Sequence, residues 1–152
     1  MELVFGNKRV LMVALLAGLC GGLAEMGWIA AYSSASSTSA ADVARGITAT
    51  VLSSASDAPW APWAGVGIHL ALSLALGLAF VLSLWGLSSA RPGKGQIWVS
   101  AVIALVAVWA FNFLLILPAL NNSFATLMPY GATLLSKALF GAAMAWTLTR
   151  TA

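Results

Sequence analysis

The sequence predicts an all-α integral membrane protein, a four-helix transmembrane bundle with both termini on the cytoplasmic side. Three observations predict it. The 152 residues are 61% hydrophobic and 7% charged, where a soluble domain carries about a quarter charged residues; a surface this poor in charge must face lipid. The apolar residues fall into long runs, and at about 20 residues per spanning helix the chain has room for about four. The basic residues gather at one end of those runs. Residues 1–152 read as a single transmembrane domain. Seven Lys and Arg against four Asp and Glu give a net charge of +3. No dense basic cluster exists, so nucleic acid is excluded as a partner.

The first span is read at 10–32. It follows Lys8 and Arg9, as the apolar core of a secretory signal also follows basic residues. The run continues past Gly22-Leu23-Ala24 through Met26, Trp28 and Ile29, which predicts a retained helix. Cys20 is the single cysteine, so an intramolecular disulfide, a CxxC centre and the membrane thiol oxidoreductases that need paired cysteines are excluded.

A Ser- and Ala-rich loop, 33–61, follows and is too long for a plain turn. Ser39 and Asp42 have capping-box spacing. Val43, Ile47 and Val51 recur every four residues, with Leu52 beside them. They predict a short amphipathic helix in this first extracytoplasmic loop, on the membrane surface or over the bundle mouth. Asp57-Ala58-Pro59 is expected to end it. The second span is read at 62–87, opened by Pro62. A short loop with Arg91, Pro92, Gly93 and Lys94 leads to the third span at 96–117, expected to stop at Pro118. Asn121, Asn122 and Ser123 form a polar connection; they match a glycosylation sequon, but turn preference explains them more simply. The fourth span is read at 129–150.

Lys8, Arg9, Arg91, Lys94 and Arg150 fall on one side and Arg45 on the other. The positive-inside rule then places both termini in the cytoplasm. Trp28, Tyr32, Trp60, Trp63 and Tyr130 mark the outer boundary, and Trp85, Trp98 and Trp146 the inner one, as interfacial aromatic belts do.

Four polar residues interrupt the spans: Glu25, His69, Asn112 and Lys137. Each costs free energy in hydrocarbon and should face protein or water. Counted from the outer helix ends, all four lie about 9–12 Å below the boundary at 1.5 Å per residue. Glu25 shares its face with Gly18 and Gly22, His69 with Gly77, and Lys137 with Gly141. Small residues let helices approach closely, so these glycines are expected at helix contacts. The face of Asn112 is not fixed by its neighbours Val108, Trp109, Leu115 and Ile116. Glu25 and Lys137 are the expected pair, with His69 and Asn112 meeting the remaining hydrogen-bonding needs. The cluster reads either as a device that fixes helix register or as a proton- or ligand-responsive site, with His69 as the relay.

No phosphate-binding glycine loop, nucleophile elbow or HExxH is present. The expectation is a non-enzymatic accessory or structural subunit of a larger membrane complex, in a cell membrane of bacterial inner-membrane type. Its partners would be the bilayer and either other membrane subunits or further copies of itself. The alternative is a small proton-coupled carrier built on the Glu/His/Lys cluster. A weaker alternative is a quinone- or haem-contacting redox subunit. No metal and no cofactor is expected, since one His, one Glu and one Asn make a poor ligand set. A haem could take His69 only with a second axial ligand from a Met or a partner chain. The stretch from Pro62 to His69, with Gly77 further on, resembles a helix of small uncharacterised bacterial four-helix membrane proteins. Its residues are generic and carry no function over.

Overall fold

The structure, a computed structural model, describes residues 8–87 and 92–151; Arg91 of the basic loop lies outside the described residues. Among them every regular element is helical. α1 is Lys8–Ser34, α2 is Ala40–Val51 and α3 is Ala61–Leu87. α4 begins as Lys94–Phe111, widens through a π turn at Asn112–Ile116 and closes with an α turn at Leu117–Leu120. The one-turn α5, Asn122–Ala125, leads to α6, Tyr130–Thr151.

Three helices are long and apolar enough to cross a membrane: Lys8–Ser34, Ala61–Gly86 and Lys94–Leu120. α6 has 22 residues but does not join them, because Ser and Thr residues, Lys137 and Arg150 lower its hydropathy. Several of these polar side chains are turned inward: Thr133, Ser136 and Thr147 are all buried.

α6 packs between α1 and α4, and α1 also packs against α3. The spatial order is therefore α3–α1–α6–α4. α3 and α4, although consecutive in sequence, make little contact. The apolar core lies toward one end of the long helices. There the N-terminal halves of α1 and α4 meet the C-terminal halves of α3 and α6, around Ala17, Val81, Leu105, Phe140 and Met144. At the other end the helices enclose a cavity.

Glycine sets the approach of α1 to α3. A Cβ on Gly18 would collide with the Ser73 carbonyl oxygen, and one on Gly77 would sit 2.5 Å from the Ala14 carbonyl oxygen. A Cβ on Gly22 would lie 2.5 Å from Ser73 Oγ. Gly141 faces the α4 backbone, with a Cβ there 3.1 Å from the Ala101 carbonyl oxygen. All four glycines picked out by helical phase thus lie where two helices touch.

α2 starts as its sequence suggests: Ser39 is the N-cap and its hydroxyl accepts from the Ala41 N–H at 3.2 Å. It ends earlier than expected. The helix stops at Val51 rather than at Asp57-Ala58-Pro59, and a 3₁₀ turn, Ser53–Ala55, follows. Serines favour such tight turns over helix interiors because their hydroxyls compete for nearby backbone groups. Arg45 Nη1 then donates to the carbonyls of Ser56 and Ala58, at 3.1 and 3.3 Å, folding this loop back along α2. Thr48, fully buried, donates to the Ala61 carbonyl at 2.5 Å and pins α2 to the start of α3.

Pro118 does not stop α4, contrary to expectation. In a continuous α-helix, proline lacks the N–H that would bond to residue 114 and its ring crowds that carbonyl. The π turn relieves the conflict by moving the Leu117 N–H onto the Asn112 carbonyl, and the helix runs on for one more turn.

Asn121 ties α2 to the segment that follows α4. Its Oδ1 caps α5 by accepting from the Phe124 N–H at 3.1 Å, and its Nδ2 donates to Thr50 Oγ1 at 3.2 Å and the Gly46 carbonyl at 3.4 Å. The Phe124 ring lies against Gly46. Asn121→Ala removes both roles at once. It should cost about 1–2 kcal/mol and speed hydrogen exchange in 40–51 more than in α1. Unchanged exchange in α2 would show that the clamp is dispensable.

Candidate ligand cavity

The site begins with Glu25. α1 carries it 7% exposed, in a chain whose apolar helices offer an isolated carboxylate no solvation. α6 supplies the answer. Lys137 Nζ donates to Glu25 Oε2 at 2.6 Å, and Ser136 Oγ lies 3.0 Å from Glu25 Oε1. Adjacent residues of one helix thus face the two carboxylate oxygens; the single Ser136 hydroxyl proton is shared between Glu25 and the Thr133 carbonyl, 2.7 Å away. The Lys137 ammonium lies 5.8 Å from the centroid of the Phe140 ring, in the range of a cation–π contact.

α3 brings His69 to the same point. Its Nε2 lies 3.9 Å from Glu25 Oε2 and 3.3 Å from the Gly22 carbonyl oxygen. A proton on Nε2 serves the carbonyl. Ser73 fixes the backbone beneath by donating to the His69 carbonyl at 2.7 Å. The absent side chain of Gly22 admits both Ser73 and His69.

Asn112 is the fourth polar residue. It opens the π turn of α4 and lines the same cavity as Glu25, His69 and Lys137. Its carboxamide makes no hydrogen bond to any described residue. The structure thus brings together all four residues singled out by depth, one from each long helix. Sequence reasoning missed Ser136, an ordinary serine until Lys137 beside it is known to meet Glu25. It also read Trp28 only as an interface anchor. Trp28 Nε1 donates to the Ala132 carbonyl at 2.9 Å, and Trp109 Nε1 to Thr133 Oγ1 at 2.9 Å. These indoles pin α1 and α4 to α6 on either side of the polar cluster. Trp109, Phe113 and Tyr130 form an aromatic cluster with centroids 6.0–6.4 Å apart.

The cavity has a volume of about 380 Å³. Its floor is the polar cluster. Its walls are apolar: Met26 and Ile29 from α1, Ile68 and Leu72 from α3, Phe113 and Ile116 from α4. Its roof is α2, whose predicted stripe of Val43, Ile47 and Val51 borders the cavity, together with Phe124 and Met128; Val43 is buried, while Val51 at the helix end stays exposed. α2 therefore covers the cavity.

The chain matches no protein-family model, no curated protein and no solved structure. The functional reading rests on the geometry alone. Among the described residues no group of three His, Cys, Asp or Glu side chains is placed to hold a metal. Chemically, the floor can exchange protons among a carboxylate, an ammonium and an imidazole. It can also present hydrogen-bond donors to a bound molecule.

Proposed function

We propose that the chain is a multi-pass protein of a cell membrane, of bacterial inner-membrane type, working without catalysis as an accessory or structural subunit of a larger membrane complex. All four long helices span the bilayer as a bundle, with both termini cytoplasmic and α2 outside. Lys8, Arg9, Lys94 and Arg150 support this orientation, since they stand at the core end of α1, α4 and α6, while Arg45 stands on α2 at the other end. α6 spans despite its lower hydropathy because its ammonium is paired with Glu25, as ionisable residues inside membranes require.

The observation that carries the subunit reading is α4. Of the three most apolar helices it is the least covered by the rest of the chain. Val99, Ile103, Val106, Leu114 and Leu115 all project outward. That outward face suits a helix from another subunit. Purification in mild detergent at native expression should recover the protein with at least one other membrane protein at fixed stoichiometry. Recovery only as a free monomer rejects the reading.

A second reading, a small proton-coupled carrier, is favoured by the Glu25, His69 and Lys137 side chains gathered on one cavity floor. Proteoliposomes would then take up protons with a substrate, and Glu25→Gln would abolish the uptake. Equal leak from both proteins rejects it.

A further inference from the structure

We infer that the cavity beneath α2 holds an uncharged amphipathic molecule, with an apolar body against the walls and a single oxygen-bearing head on the polar floor. The inference relies on the chain lying in a membrane and is independent of any partner subunit. Size is the first argument. The 380 Å³ space falls within the range of ligand pockets, about 300–1,000 Å³. It takes a head group and several carbons of a tail.

Charge is the second. Glu25 and Lys137 are 2.6 Å apart and compensate each other. An anionic head would have to draw Lys137 from Glu25, and a cationic head would have to draw Glu25 from Lys137. Either exchange leaves a largely buried charge without its partner, which apolar surroundings penalise heavily. A neutral head leaves the pair intact.

Hydrogen bonding is the third. Asn112 lines the cavity with a carboxamide that bonds to no described residue, and a carboxamide offers two donors and one acceptor. Asn112 is partly exposed, so its amide is open to whatever fills the cavity. An alcohol or carbonyl oxygen on the ligand accepts from the Asn112 amide and can also take a spare N–H of Lys137. The π turn places Asn112 here; such turns are frequent at functional sites.

Access is the fourth. The long helices that flank the cavity without closing on each other are α3 and α4. Leu72, a wall residue on α3, is 61% exposed, so the apolar end of the ligand leaves sideways into lipid. Prenyl alcohols and alkyl-substituted quinones both have this chemistry.

The test uses the full chain, delipidated in detergent and titrated with decyl-benzoquinone, farnesol, laurate and dodecylammonium, each read by native mass spectrometry and calorimetry. Saturable one-to-one binding of a neutral probe is expected, about tenfold or more tighter than either charged probe. Asn112→Leu should weaken it about tenfold, the worth of a hydrogen bond in a dry site. Ile47→Trp, which fills the space under α2, should abolish it. Val99→Trp, on the outward face of α4, should bind as wild type does. The stronger of the two neutral probes tells a quinone head from an alcohol. Absence of one-to-one binding by both neutral probes overturns the proposal. Tighter binding of a charged probe, or full affinity in Asn112→Leu, does the same.

Discussion

Lys137→Met should destabilise the protein by about 3–5 kcal/mol, the usual cost of leaving one partner of a buried pair uncompensated. The Glu25 side chain is 9% exposed. Without the ammonium, only Ser136 Oγ at 3.0 Å and His69 at 3.9 Å remain near the carboxylate. The double variant Glu25→Gln/Lys137→Met should recover most of the loss, because it removes both charges and with them the cost of desolvating either. The Gln side chain still offers an oxygen to Ser136. Glu25→Gln alone should fall between the two, since it strands an ammonium that retains a cation–π contact with Phe140. Thermal unfolding of the four proteins in one detergent gives the coupling energy directly. If Lys137→Met melts with wild type, the pair contributes nothing to folding. Its role would then have to be sought wholly in the cavity.

The second large effect is expected at the crossing of α1 and α3. Gly77→Val places a branched side chain where a single Cβ already stands 2.5 Å from the Ala14 carbonyl oxygen and 2.7 Å from Gly18 Cα. Both obstacles are backbone, so no rotamer relieves them. The helices must separate, at the upper end of the roughly 1–3 kcal/mol typical of overpacking or beyond it. The consequence is larger than local, because α3 is held to the long helices chiefly through α1. Proteolysis within α3 and loss of the folded fraction after heating should both rise sharply. Gly27→Ala and Gly67→Ala are the matched controls, since a Cβ at either meets nothing within 4 Å. If Gly77→Val behaves like these controls, the close approach does not hold α3 in place.

Much of this architecture was legible in the sequence because hydrocarbon is so intolerant of polarity. A lone Glu, His or Lys in an apolar run stands out, and counting from helix ends gave their common depth. The apolar stripe of α2 was readable because its other face is polar. The order of the helices was not readable. When every face of a helix is apolar, periodicity no longer says which side meets protein, and only the glycines hinted at the contacts. The orientation of Asn112 escaped for a different reason. Helical phase assumes 3.6 residues per turn, and the π turn beside Asn112 breaks that count. Pro118, read as a stop, was the available signal, since a proline inside an apolar run calls for some local widening. Asn121 looked like an ordinary turn residue because its partners, Gly46 and Thr50, lie more than 70 positions away.

The order of helices in space has a consequence for biogenesis. α6 leaves the ribosome after every other described helix, yet it occupies the place between α1 and α4. Until it arrives, α1 and α4 are joined among the long helices chiefly through the sparse contact of α3 with α4, and the carboxylate of α1 lacks its lysine. On the proposed topology, insertion of the first three long helices yields only a provisional assembly, with an acid still lacking its base. A quality-control protease that recognises unsatisfied charge within the membrane would find its target in any chain that ends before residue 137.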